Sequence, residues 1–232
     1  MSIELIAAVQ SYWDVREAQA AKQALKGSSD TGTRSSVTGG QQMSAMEHLV
    51  VSLIKKENLP DLKYFTRSKL ELPGYFRPEK KWDLIVISKQ RLVCAIEFKS
   101  MVGPSFGNNF NNRTEEAIGN SVDIWTAFRE GRFGSAPKPF LGFYFLLEDC
   151  ETVHKPVKAA QPHFKTDPEF IGASYAKRYE LLCRRLVRER HYDATCLTLA
   201  TKGANTNICH PAEDIDFDRF IRALLSSARQ FQ

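Results

Sequence analysis

Three observations on this 232-residue chain predict an α/β fold with a mixed central β-sheet flanked by helices. Amphipathic helical segments alternate with short apolar runs along the chain. One run, Phe140 to Leu147, is apolar nearly throughout, as a strand covered on both faces must be. Trp82 to Lys99 reads as a hairpin, which joins an antiparallel pair to strands that are separated by helices. With 43% hydrophobic and 25% charged residues, the composition is that of a folded core rather than a disordered chain.

Each element has its own signal. Residues 2–26 form a helix, with Leu5, Val9, Tyr12, Trp13 and Ala20 near one face and Gly27 ending the pattern. The polar, glycine-rich stretch 27–43 has no apolar periodicity and reads as a flexible loop. A second helix starts at Ser44, with Glu47 completing a capping box, and stops at Leu59-Pro60. Turn-rich segments follow to Lys80. The hairpin pairs Trp82–Ile87 with Leu92–Lys99 across a polar turn, and Val102–Asn112 is a Gly- and Asn-rich loop. A helix from Thr114 to Glu130 precedes the Phe140–Leu147 strand. Residues 148–171 are irregular and carry Pro156, Pro162 and Pro168. Gly172–Arg190 is an amphipathic helix, Tyr192–Ala200 a strand and Asp218–Phe231 a terminal helix. The length suits a single domain: an N-terminal helix and loop (1–43), a core (44–200) and a helical C-terminal segment (201–232).

Composition excludes several classes. The longest apolar run has eight residues, and a membrane-spanning helix needs about 20. The N-terminus lacks the basic start of a signal peptide, so a cytoplasmic protein is expected. Cys94, Cys150, Cys183, Cys196 and Cys209 include no close pair, which fits buried free thiols better than zinc or disulfides. The five histidines show no metal-ligand spacing. A net charge of +5 permits nucleic-acid binding without establishing it.

The chemistry concentrates in the hairpin. Side chains alternate along a strand, so Glu97 and Lys99 share a face while Phe98 points into the core. The hairpin returns this strand end to the start of its partner, which places Asp83 beside Glu97 and Lys99. Asp83 pairs with Glu97 on one face only if the turn has an odd length or a bulge restores the parity. Two adjacent carboxylates repel, and a divalent cation relieves the repulsion. Mg²⁺ suits the set, because it takes one or two protein carboxylates and fills its shell with waters and phosphate oxygens. Lys99 can then orient a water and offset negative charge. Phosphodiester hydrolysis is the reaction these groups suit; solvated charges at the end of a hairpin are the plain structural alternative.

Asp83, a hairpin and Glu97-x-Lys99 resemble the active site of the PD-(D/E)XK nuclease superfamily. Longer stretches are similar to the XhoI family of type II restriction endonucleases. They include Leu72-Pro73-Gly74-Tyr75, Arg77-Pro78, Trp82-Asp83, Val102 to Arg113, Glu115-Glu116-Ala117-Ile118-Gly119, Ala127 to Gly131, Gly172 to Ala176 and Arg178-Tyr179-Glu180. The resemblance runs from roughly Leu59 to Thr198. It implies a restriction-endonuclease-like core and a homodimer that cuts both strands of a palindromic duplex. It also implies the site CTCGAG cut after the first C to leave 5′ overhangs, and, genetically, a cognate DNA methyltransferase. By the superfamily pattern Asp83, Glu97 and the Phe98 carbonyl hold the metal, and Lys99 serves the water. Trp82 stands where the superfamily's name has proline, a variable position.

Other residues are weaker candidates. Asn108, Asn109, Asn111, Asn112 and Arg113 follow Lys99 closely, and such side chains read bases or hold phosphate; equally, Gly and Asn serve left-handed turns. Lys177, Arg184 and Arg188 share one face of a basic helix suited to phosphates, although a solvated face explains them too. Glu47 is a possible additional acid, or simply a cap. A DNA-binding or structural protein with a degenerate site, or a repair or non-specific nuclease, stands as the alternative function.

Overall fold

The computed structural model describes residues 3–25 and 42–231; all but the end of the glycine-rich stretch lies outside them. A six-stranded mixed sheet runs in the order β1 (Leu62–Phe65), β4 (Leu84–Ser88), β5 (Arg91–Met101), β6 (Phe140–Glu148), β7 (Ala194–Ala200), β8 (Ile208–Cys209). Strands β5, β6 and β7 are parallel, and the outer pairs are antiparallel. A separate ribbon pairs β2 (Glu71–Pro73) with β3 (Glu79–Lys81). Helix α3 (Phe106–Arg129) carries the crossover from β5 to β6, and α5 (Tyr175–Arg188) that from β6 to β7. A short helix α4 (Glu151–His154) lies between them.

Strand alternation divides the core in two. Leu84, Val86, Cys94, Ile96, Phe98 and Tyr144 pack under α1 (Ile3–Leu25), α2 (Ser44–Lys56) and α6 (Phe217–Ala228). Ile85, Ala95, Phe143, Phe145 and Leu197 pack under α3 and α5. Strand β6 is buried along nearly its whole length, which is why its sequence shows no polar face. Cys94, Cys183 and Cys196 are buried thiols; burial pushes Cys94 and Cys183 up to about 12.

The hairpin reaches the required parity through a bulge. Its turn is only two residues, Lys89 and Gln90, both at positive φ (48° and 66°), as the twist of a two-residue hairpin demands. The register then shifts: Ile87 pairs with Leu92, but Val86 pairs with Cys94. Val93 is the extra residue, and Val93 and Cys94 both enter the core under α1. Leu84 consequently faces Ile96, and Asp83 comes level with Glu97.

Several expectations need correction. The capping box is absent: Met43 enters helix α2 already in the right-handed helical region, so Ser44 lies inside the helix and caps nothing. The loop expected at 102–112 is largely helix, because α3 begins at Phe106 rather than Thr114. Phe106 stacks on Tyr175 and Phe110 meets Tyr179 edge-on, and this packing overrides the poor helix propensity of the Asn residues. None of those asparagines takes a left-handed conformation. The turn-rich region before the hairpin contains β1, β2 and β3, and the C-terminal segment contains β8. The helix expected from Gly172 starts at Tyr175, capped by the Ser174 side chain.

Candidate active site

Asp83, Glu97 and Lys99 converge where β4 begins and β5 approaches its end. Asp83 Oδ2 accepts the amide N–H of Phe98 at 2.8 Å, which locks its side chain toward β5. Glu97 is 1% exposed on the α3 side of the sheet. The Lys99 ammonium sits 2.8 Å from Glu97 Oε1 and 3.7 Å from Glu116 of α3. The Phe98 ring lies on the opposite face against Tyr144, as alternation requires.

Two side chains that sequence reading missed complete the setting. Lys80, from the ribbon, crosses the Trp82 ring at 4.3 Å and reaches Glu97 Oε1 at 3.4 Å. Asn120 of α3 donates to Glu97 Oε2 at 2.7 Å and accepts from Arg77 at 2.7 Å. Arg77 in turn pairs with Asp123, at 2.7 Å. The signal for the helix side lay in spacing: Asn109, Arg113, Glu116, Asn120 and Asp123 recur every three or four residues and so form one stripe. Its last three members touch Lys99, Glu97 and Arg77. Lys80 gave no such signal, since Glu79-Lys80-Lys81 falls at the end of a turn-rich segment without apolar pattern.

The electrostatics separate the two carboxylates. Burial disfavours ionised Glu97, but Lys99 and Lys80, with hydrogen bonds from Lys99 and Asn120, hold its carboxyl below the usual range. Asp83 moves the other way: burial raises it, the Phe98 amide opposes, and the nearby Glu97 charge raises it further. Lys99 is held above its ordinary value because its pairing with Glu97 outweighs burial. Burial dominates at Lys80 and lowers it.

Glu47, on the first turns of α2, is buried at the same end of the sheet. Burial and the neighbouring Asp83 push its carboxyl up to about 8, against the attraction of Arg67. An acid raised in the fold but ordinary in the unfolded chain stabilises below pH 4–5 and loses that contribution as pH climbs toward 8. In chelator, Glu47→Gln is therefore expected to melt with the wild type at pH 5 and several degrees above it at pH 9. Parallel thermal melts check this; an equal difference at both pH values contradicts it.

The remaining sequence candidates are spread over two helices. Asn108, Asn111 and Asn112 are exposed on the first turns of α3, and Asn109 donates to the Ser105 carbonyl at 2.7 Å. Arg113 pairs with Glu116, which also faces Lys99. Lys177 and Arg184 both bind the Glu180 carboxylate at 2.8 Å, and Arg184 also binds Asp214. Arg188 is exposed. Glu116 thus links the Asn-rich turns to Lys99, whereas the basic side chains of α5 hold carboxylates of their own surface.

Among the described residues no three His, Cys, Asp or Glu side chains cluster tightly enough to hold an ion alone. Asp83 and Glu97 form a two-carboxylate set, the number Mg²⁺ ordinarily takes from protein. Among the described residues no helix is long and apolar enough to cross a membrane.

Comparison with known proteins sets the sequence among restriction enzymes. The family model "Restriction endonuclease XhoI" matches residues 22–210. The type II restriction enzyme BstVI of Geobacillus stearothermophilus is 47% identical over 204 residues, 85% of this chain and 91% of the relative. The type II restriction enzyme XhoI of Xanthomonas vasicola is 46% identical over 77% of this chain and 72% of its own length. AbrI of Azospirillum brasilense, also a type II restriction enzyme, is 48% identical over 68% and 71%. No solved structure matches the chain. With the α/β sheet and these matches together, the chain belongs to the XhoI restriction endonuclease family, a family of type II site-specific deoxyribonucleases.

Proposed function

We propose that the chain cuts both strands of duplex DNA at a palindromic site by Mg²⁺-dependent hydrolysis, with Asp83, Glu97 and Lys99 as the catalytic set. The observation that carries this is Lys99 at 2.8 Å from a buried Glu97 that comes level with Asp83. A surface hairpin would leave these groups in water. Here both carboxylates are withdrawn from it, and their pKa values are driven apart.

Asp83, Glu97 and the Phe98 carbonyl would hold the ion, with Glu47 as an additional acid. When bound, the ion polarises the phosphate and eases loss of a proton from water. The residues themselves position and balance charge. Lys99 donates toward the attacking water and offsets charge building on the phosphate oxygens. Asn120 fixes the Glu97 carboxylate, and Lys80 adds a second cation beside it. In the reaction a water oxygen joins phosphorus, one ester oxygen leaves, and the water's protons pass to solvent and the leaving oxygen.

The finer reading is a twofold homodimer acting on CTCGAG, cut after the first C to leave 5′ overhangs. A palindrome presents identical half-sites, which a symmetric dimer mirrors. The Asn-rich turns of α3 face this reading as base or phosphate contacts, and Lys177, Arg184 and Arg188 as phosphate contacts once DNA competes for their carboxylate partners. Incubation with plasmid and Mg²⁺, followed by sequencing of the ends, tests the proposal. Staggered cuts in both strands at CTCGAG are expected, with none in chelator and little in Ca²⁺, whose looser geometry misplaces the reactants. Ends at unrelated sequences, or nicks in one strand only, would contradict the site and the dimer.

A further inference from the structure

The β2–β3 ribbon ends in the tip Gly74-Tyr75-Phe76-Arg77. Tyr75 and Phe76 are 48% and 69% exposed, and their rings meet edge to face at 4.9 Å. Exposed rings at a loop tip are ordinarily mobile, but this backbone is pinned. Asp123 of α3 accepts the amide N–H of Tyr75 at 2.8 Å, that of Phe76 at 2.9 Å and the Arg77 Nε–H at 2.7 Å. Gly74 lets the chain pass close beneath: a Cβ there would fall 2.6 Å from the Arg77 carbonyl oxygen and 2.7 Å from Asp123 Oδ2. A rigid backbone that projects two apolar rings into water lowers the ordering cost of binding something apolar.

What binds is constrained by the surroundings. Between Arg67 and Lys81 there are five basic residues and two acidic ones; Asp123 and Glu97 hold Arg77 and Lys80, which leaves the exposed Arg67, Lys69 and Lys81 to meet a polyanion. It is also continuous with the candidate active site. Lys80, near its base, reaches Glu97, and Arg77, at its tip, reaches Glu97 through Asn120. A ligand seated on the tip therefore lies beside the chemistry and shares its anchoring.

We infer that this tip is a DNA-docking element: Tyr75 and Phe76 pack against bases of the duplex while the flanking basic residues meet its phosphates. Apolar side chains that enter a groove in this way wedge against or partly unstack a base step. The inference rests on the nuclease reading and adds to it the element that grips the substrate. Asn120 becomes a positioning residue, which ties the docked tip to the Glu97 carboxylate.

The test uses the full chain and a duplex carrying the sequence at which the wild type is found to cut. Binding is followed by fluorescence anisotropy in chelator. The Tyr75→Ala/Phe76→Ala variant is expected to lose at least fivefold in affinity; any smaller loss overturns the inference, whether or not the oligomeric state changes. A second measurement needs no variant: nitration of Tyr75 by tetranitromethane, read by mass spectrometry, is expected to fall when the duplex is added. Undiminished nitration in a saturated complex overturns the inference as well. A wild type that neither binds nor cuts duplex DNA overturns the nuclease reading and this inference together, whereas a wild type that cuts beside an unaffected variant overturns this inference alone.

Discussion

Glu97→Ala is expected to abolish cleavage while duplex binding survives. The substitution removes one of the two carboxylates that face each other at the sheet end, and with it the partner of Lys99, Lys80 and Asn120. A catalytic metal supplies several kcal/mol of transition-state stabilisation, and each ~1.4 kcal/mol is tenfold in rate. A loss of about three orders of magnitude or more follows. Duplex binding of the proposed kind would rest on phosphate contacts away from Glu97, so gel shifts in chelator should change little. Two ammonium groups would then adjoin without their carboxylate, so Glu97→Gln, which keeps the shape and an acceptor, serves as the companion variant. Nicking assays on both decide the matter, and near-normal cutting by either would remove Glu97 from the catalytic set.

Phe145→Ala is expected to cost the largest share of stability. Phe145 is fully buried in β6, level with Lys99 on β5 and Leu197 on β7, and its ring stacks on Tyr179 of α5 at 4.3 Å. Truncating a buried Phe costs about 3–5 kcal/mol in lost transfer energy and cavity, against a total of about 5–15. The denaturant midpoint should fall with an unchanged slope, and a loss near 1 kcal/mol would show that the site collapses instead of leaving a void. Because the residue underlies Lys99, surviving protein should also cut more slowly.

Reading the sequence worked best where one period governs a segment. Helices α1, α2, α5 and α6 repeat their apolar residues at helical spacing, and alternation beyond the bulge of β5 places Glu97 and Lys99 together, whereas β6 and β7 show as short runs buried on both faces. The need for an odd turn or a bulge followed from parity alone, and Val93 supplies the bulge. Failures share a cause in distant contacts. The Asn-rich start of α3 looks like a loop until Phe106 and Phe110 are seen against Tyr175 and Tyr179. Strands of two to four residues are too short to show a period, so β1, β2, β3 and β8 were invisible. Lys80 reaches Glu97 only because the ribbon folds back over Trp82.

The extra residue at Val93 has a consequence for how this protein can change. Along β5 the faces follow a reading frame of two, and Val93 acts as an inserted letter that the two-residue turn has already compensated. Deleting Val93 would close the bulge and leave a regular two-residue hairpin, in which Ile87 still pairs with Leu92, Val86 with Cys94, and Asp83 stays level with Glu97. Moving the extra residue into the turn, by deleting Val93 and inserting one residue between Lys89 and Gln90, keeps the same pairs with a three-residue turn. Lineages that differ in turn length or in the bulge can therefore share one carboxylate edge, and single-residue steps connect them without parting Asp83 from Glu97. What parts the carboxylates is instead a slip in which Val93 takes the place of Cys94 opposite Val86, because every later residue of β5 then moves by one place and one face.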